Sequence, residues 1–106
     1  MPLPPPRDHR VSLKDAVAFA RRHREAAGKG KAGERGGMFH KEGVAQLLAQ
    51  PGCAGLRFYF GNDDGGASAI VLVGVDEKGN DMTSGVVLEK HYPCPPYCGD
   101  PSELNP

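Results

Sequence analysis

Leu56-Arg57-Phe58-Tyr59-Phe60-Gly61-Asn62-Asp63-Asp64-Gly65-Gly66, running on through Ala69-Ile70-Val71-Leu72-Val73-Gly74-Val75, repeats with the period of a strand and not that of a helix. Leu56, Phe58 and Phe60 alternate with Arg57, Tyr59 and Gly61, the pattern of a strand with one face buried and the other open. The aromatic side is expected to meet the core, with Arg57 and Tyr59 on the opposite face. Asn62–Gly66 is a turn by composition. Residues 69–75 are almost wholly apolar and β-branched, which fits a central strand covered on both faces. Asp76-Glu77-Lys78-Gly79-Asn80-Asp81 supplies a second turn and Val86-Val87-Leu88 a third short strand. Three adjacent strands joined by tight turns predict an antiparallel meander.

Upstream the period becomes helical. Val44, Leu47 and Leu48 share one face of a helix predicted over residues 41–50, with Phe39 near its start and Pro51-Gly52 ending it. Gly43 weakens that helix by about 1 kcal/mol relative to alanine, so packing must hold it. Gly28-Lys29-Gly30-Lys31-Ala32-Gly33-Glu34-Arg35-Gly36-Gly37 has no apolar periodicity and reads as a flexible linker. No strand precedes it and no Gly-Lys-Ser/Thr triplet occurs, so it is not a phosphate loop. Before it, Ser12 and Asp15 mark a helix start, Leu13, Ala16, Val17 and Ala20 make an apolar stripe, and Gly28 is the stop. Arg21, Arg22, His23 and Arg24 load the negative end of that helix with positive charge. Residues 1–10 are Pro-rich and expected to be disordered.

Downstream, His91-Tyr92-Pro93-Cys94-Pro95-Pro96-Tyr97-Cys98-Gly99-Asp100-Pro101 carries too many prolines for regular structure. Its tyrosines and cysteines favour burial, so it reads as a strap on the domain and not as a loose end. The predicted fold is therefore α+β: two helices packed on a three-stranded antiparallel meander, closed by a Pro/Cys-rich C-terminal strap. Residues 11–106 would form one domain.

Composition narrows the function classes. No apolar run approaches the roughly 20 residues that span a bilayer, and the start lacks the features of a signal peptide. The expected compartment is the cytoplasm, where free thiols outnumber stable disulfides. Net charge is zero over 106 residues, but the halves differ. Residues 7–35 hold nine Lys or Arg against four Asp or Glu, a net of +5, and residues 36–106 hold four against nine, a net of −5. Either a basic arm meets an anionic partner, or two surfaces of the protein attract each other. A short basic cluster without interleaved aromatics argues against nucleic acid.

Three cysteines carry the main chemical interest. Cys94 and Cys98 are too far apart if the segment is extended, but a turn or a cis bond before Pro95 or Pro96 would bring them together. Cys53, between the second helix and the first strand, is a possible third member, with His91 and His40 as candidate fourth ligands. Such a set suits zinc or an iron–sulfur cluster. The alternatives are structural or free thiols, or a reversible Cys94–Cys98 bridge. Arg57 and Tyr59 are either a partner-facing patch or an ordinary solvated sheet face. The acidic turns lack the calcium-loop pattern. No nucleophile elbow occurs, and Cys53 with His40 or His91 is the only thiol–imidazole pairing to consider.

Four elements of the sequence form a recognisable set: Gln50-Pro51-Gly52-Cys53, Leu56-Arg57-x-Tyr59, Val73-Gly74-Val75-Asp76 with Gly79-Asn80-Asp81, and Cys94-Pro95-Pro96-Tyr97-Cys98. Together they resemble a group of small uncharacterised bacterial proteins, over roughly residues 39–100. The resemblance implies a bacterial source and a cysteine tail that belongs to the domain. It implies no activity. The functional expectation is a non-enzymatic module that binds another protein or self-associates. The alternative is a small metal-binding or thiol-redox protein using Cys53, Cys94 and Cys98.

Overall fold

The computed structural model describes residues 2–26 and 34–106. Their chain order is α1 (Leu13–Ala26), β1 (Gly36–Met38), α2 (Lys41–Leu48), β2 (Cys53–Asn62), β3 (Ser68–Asp76), β4 (Val87–Leu88) and β5 (Tyr92–Cys94). The chain gathers into two compact units, Met1–Pro6 with Phe39–His91, and Arg7–Met38 with Tyr92–Pro106. The fold is α+β, with two helices and a three-stranded antiparallel sheet of order β2-β3-β4.

In the first unit β3 is the central strand. Its register pairs Phe58 with Leu72, Tyr59 with Val71 and Phe60 with Ile70 on one side, and Leu72 with Leu88 on the other. Buried residues on both faces of β3 (Leu72 on one, Ala69, Val73 and Val75 on the other) fit its uninterrupted apolar run. Aspartates close both turns. Asp63 Oδ1 accepts from the Gly65 and Ala67 N–H groups, and Asp76 Oδ1 from those of Lys78 and Asn80. Gly79, at φ +87°, completes the second turn, and a Cβ there would lie 2.9–3.1 Å from the Pro2–Leu3 backbone. Part of the N-terminal Pro-rich run thus lies against this turn.

Helix α2 packs against β2, β3 and β4. Leu47 is fully buried, whereas Leu48, expected beside it, is half exposed. Gln50 fastens the helix end to the sheet: its Nε2 donates to Leu47 O at 2.8 Å and its Oε1 accepts from Val86 N–H at 2.8 Å. Eight helical residues span only about 12 Å, against about 33 Å for the ten of β2. The helix therefore covers one end of the sheet, and the expected burial of Leu56, Phe58 and Phe60 fails. These three are 40%, 55% and 87% exposed.

In the second unit Ser12 caps α1, accepting from Asp15 N–H at 3.0 Å. The predicted stripe on α1 is at most half buried, and Leu13 is exposed. Gly36 and Gly37, expected in the linker, and Tyr92–Cys94, expected to lack regular structure, instead form strands: β1 and β5 pair antiparallel, Gly37 opposite Pro93. A proline is tolerated in so short a two-stranded ribbon, where one edge needs no N–H. Residues 28–33 of the linker lie outside the described residues. The rest of the tail is also held: Arg24 donates to Leu104 O at 3.0 Å and Arg35 to Asn105 Oδ1.

Candidate functional site

Cys94 and Cys98 form a disulfide across a Cα–Cα distance of 4.6 Å. The intervening Cys94–Pro95 and Pro95–Pro96 peptides are both cis, and Tyr97 N–H donates to Pro93 O at 2.8 Å. Tyr92 and Tyr97 meet edge to face beside it, centroids 5.0 Å apart. Of the alternatives open in the sequence, this is the bridge. With the two sulfurs bonded to each other, neither is a thiolate ligand.

Cys53 belongs to the sheet unit and is a free thiol, donating from Sγ to Gly55 O at 3.2 Å. His91 is buried, its Nδ1 2.9 Å from Glu89 Oε1 and its ring 6.1 Å from that of Phe39. Glu89 also receives Ile70 N–H, and its carboxyl is held below the usual range, first by the Lys90 N–H and then by His91. His40 stands at the N-cap position of α2. Among the described residues, no group of three or more His, Cys, Asp or Glu is placed to hold a metal ion.

Arg57 and Tyr59 do share a face of β2, and a residue absent from the sequence expectation joins them. Asp81 accepts from Arg57 at 2.5 Å through one oxygen and from the Tyr59 hydroxyl through the other, while Arg57 also reaches Gly79 O at 3.3 Å. Tyr59 is pushed above the usual phenol range, first by its bond to Asp81. The same bond holds Asp81 below the carboxylate range, with Arg57 adding to it. The cluster ties the second turn to β2 and cancels the charge of Arg57. Alternation in the sequence locates Arg57 and Tyr59, but the bridge pairing Val75 with Asp81 is what brings the aspartate to them.

The opposite face of β2 is the larger surprise. Leu56, Phe58 and Phe60 point outward together, Phe58 and Phe60 edge to face at 5.5 Å between centroids. Among the described residues β2 is also an edge strand. The hydrogen-bond phase follows from the Asp63 N–H, which donates to Ala67 O at 2.8 Å. Counting back in twos, Gly61, Tyr59, Arg57 and Gly55 exchange their backbone groups with β3. The other side of β3 agrees, since Met82 N–H donates to Gly74 O and Asp76 N–H to Asn80 O. The N–H and C=O groups of Leu56, Phe58 and Phe60 therefore point to the open edge. Three residues present both their apolar side chains and their backbone to solvent.

No protein-family model, curated protein or solved structure matches this chain. Among the described residues no helix is long and apolar enough to cross a membrane.

Proposed function

We propose that this chain is a non-enzymatic protein-interaction or assembly module of a bacterial cytoplasm, docking through the Leu56–Phe58–Phe60 face of β2. One observation carries the reading: an apolar stripe stands open to solvent on a strand whose outer backbone edge is also unpaired among the described residues. Solvent-facing clusters of large apolar residues mark interaction sites, and aromatic residues dominate binding energy where they occur. A photo-crosslinking residue at position 60 in the full chain tests it. A defined protein adduct that disappears with Phe58→Lys is the expected result. A chain that gives no adduct, or the same adducts with the substitution, contradicts it.

The Cys94–Cys98 bridge supports a second reading, a thiol-redox protein. A disulfide in the cytoplasm is usually transient. Two equivalents of a small thiol would reduce it, each sulfur of the pair gaining one proton while the two reductant sulfurs join in a disulfide. Alkylation after equilibration in glutathione buffers reads the state of the pair. A midpoint inside the cytoplasmic range supports cycling, and a pair fully oxidised or fully reduced throughout opposes it.

A further inference from the structure

We infer that the occupant of the β2 edge is a second copy of this chain, joined by antiparallel β2–β2 pairing about a two-fold axis through Phe58. The inference rests on the interaction reading above and names its partner.

The strand lacks the charges and proline that usually protect an edge, and its one irregularity, a register shift between Cys53 and Gly55, lies before the stripe begins at Leu56. Cys53–Asn62 contains no Lys, Asp, Glu or Pro. Its one charge, Arg57, is neutralised by Asp81. Two such strands approach without like-charge repulsion.

Register selects the axis. Only residues whose backbone faces outward can exchange hydrogen bonds with a partner, which restricts pairing to Leu56, Phe58, Phe60 and their neighbours two residues away. An axis through Phe58 sets Phe58 against its own copy and Leu56 against Phe60 of the second chain, so every apolar residue of the stripe meets another. It also sets Arg57 opposite Tyr59. Moving the axis to Arg57 places two arginines face to face, which is unfavourable. Moving it to Tyr59 sets Leu56 against Asn62 and strands its side chain. The axis at Phe58 is the one register that satisfies both backbone and side chains.

Area sets the strength. With large apolar side chains offering about 150–250 Å² each and Leu56, Phe58 and Phe60 exposed to 40%, 55% and 87%, two stripes bring together roughly 700 Å² before the strand edges are added, the range of a weak, transient interface. The dimer should be reversible and depend on concentration.

Sedimentation velocity of the full chain from low micromolar to near-millimolar concentration is the test, alongside Phe58→Lys and Phe58→Cys. The wild type should shift from monomer to dimer. Phe58→Lys, which sets two ammonium groups on the axis, should weaken association at least tenfold while the circular dichroism spectrum stays unchanged. Phe58→Cys should yield a covalent dimer under mild oxidation, because directly opposed hydrogen-bonded residues lie about 5.5 Å apart, within disulfide reach. Peptide mapping should locate that bond between the two substituted positions, and Phe60→Cys should not cross-link in the same way. A wild type that stays monomeric, or a Phe58→Cys chain that fails to cross-link, overturns self-pairing. If self-pairing fails but the chain with Phe58 intact still gives the position-60 adduct with a different protein, the module reading survives. If it gives none, both fall.

Discussion

The two compact units of this chain are held by different means. Among the described residues, every buried one lies in the Phe39–His91 unit, Leu47, Ala69, Leu72, Val73, Gly74, Val75 and His91, with three hydrogen-bonded strands around them. The unit made from Arg7–Met38 and Tyr92–Pro106 buries none of its described residues. It relies on a three-residue strand pair, a disulfide and arginine bonds to the tail. Apolar burial gives roughly 25 cal/mol per Å² and so favours the first unit, whereas a cross-link acts mainly by limiting the unfolded chain. Apolar surface and local stability are thus unevenly distributed, and the exposed β2 stripe belongs to the unit stable enough to present it.

The sharpest way to break this contrast is Leu47→Ala. Removing this fully buried side chain should cost about 3 kcal/mol in thermal or denaturant unfolding monitored within the sheet. A loss below 1 kcal/mol would mean that the sheet unit does not depend on its core. Reduction of Cys94–Cys98 should act on the other unit, costing about 2 kcal/mol for a loop this short. Hydrogen exchange should then quicken at Gly36–Met38 and leave Val73 and Val75 unchanged; equal quickening in both units would erase the distinction. Gln50→Ala comes next, at about 1–2 kcal/mol, because it leaves Val86 N–H and Leu47 C=O without their side-chain partner.

Gly43→Ala should add up to about 1 kcal/mol of stability. A Cβ there lies 3.5 Å from Leu88 Cδ2, an ordinary contact, so the helix gains propensity without a clash. Destabilisation by this change would show that α2 sits closer to the sheet than described. The smallest effect is expected from the solvent-facing Asp81 cluster. Because the folded Asp81 carboxyl titrates below its unfolded value, its contribution is complete above about pH 4 and fades as pH falls. Tyr59 titrates above its ordinary value, so its contribution is present below about pH 10 and is lost as pH rises further. Asp81→Asn should bring the Tyr59 titration, followed by NMR, back toward the ordinary phenol value. An unchanged Tyr59 would remove the aspartate as the cause.

Much of the sheet is legible in the sequence because its signals are local. The run Ala69–Val75 announces a central strand, and the Asp63 and Asp76 turns close as their composition requires. The β1–β5 pair is not legible, since Gly36-Gly37 and Pro93 carry no strand propensity and pair only because the chain brings them together. The exposure of one face of β2 is not legible for a related reason. Alternation places Leu56, Phe58 and Phe60 on one side of β2, but how far an eight-residue helix reaches across that side is a tertiary fact. The cysteine spacing allowed a bridge, a metal site or free thiols; Cα positions 4.6 Å apart, with the sulfurs bonded, select the bridge.

Amide hydrogen exchange at Leu56, Phe58 and Phe60, measured in dilute and in concentrated solution, tests the self-pairing of β2 most directly. The account predicts fast exchange of all three when dilute and growing protection as concentration rises, while Arg57 and Tyr59 are protected throughout by β3. Protection at Leu56, Phe58 and Phe60 that is absent at every concentration, or already complete in dilute solution, would contradict it.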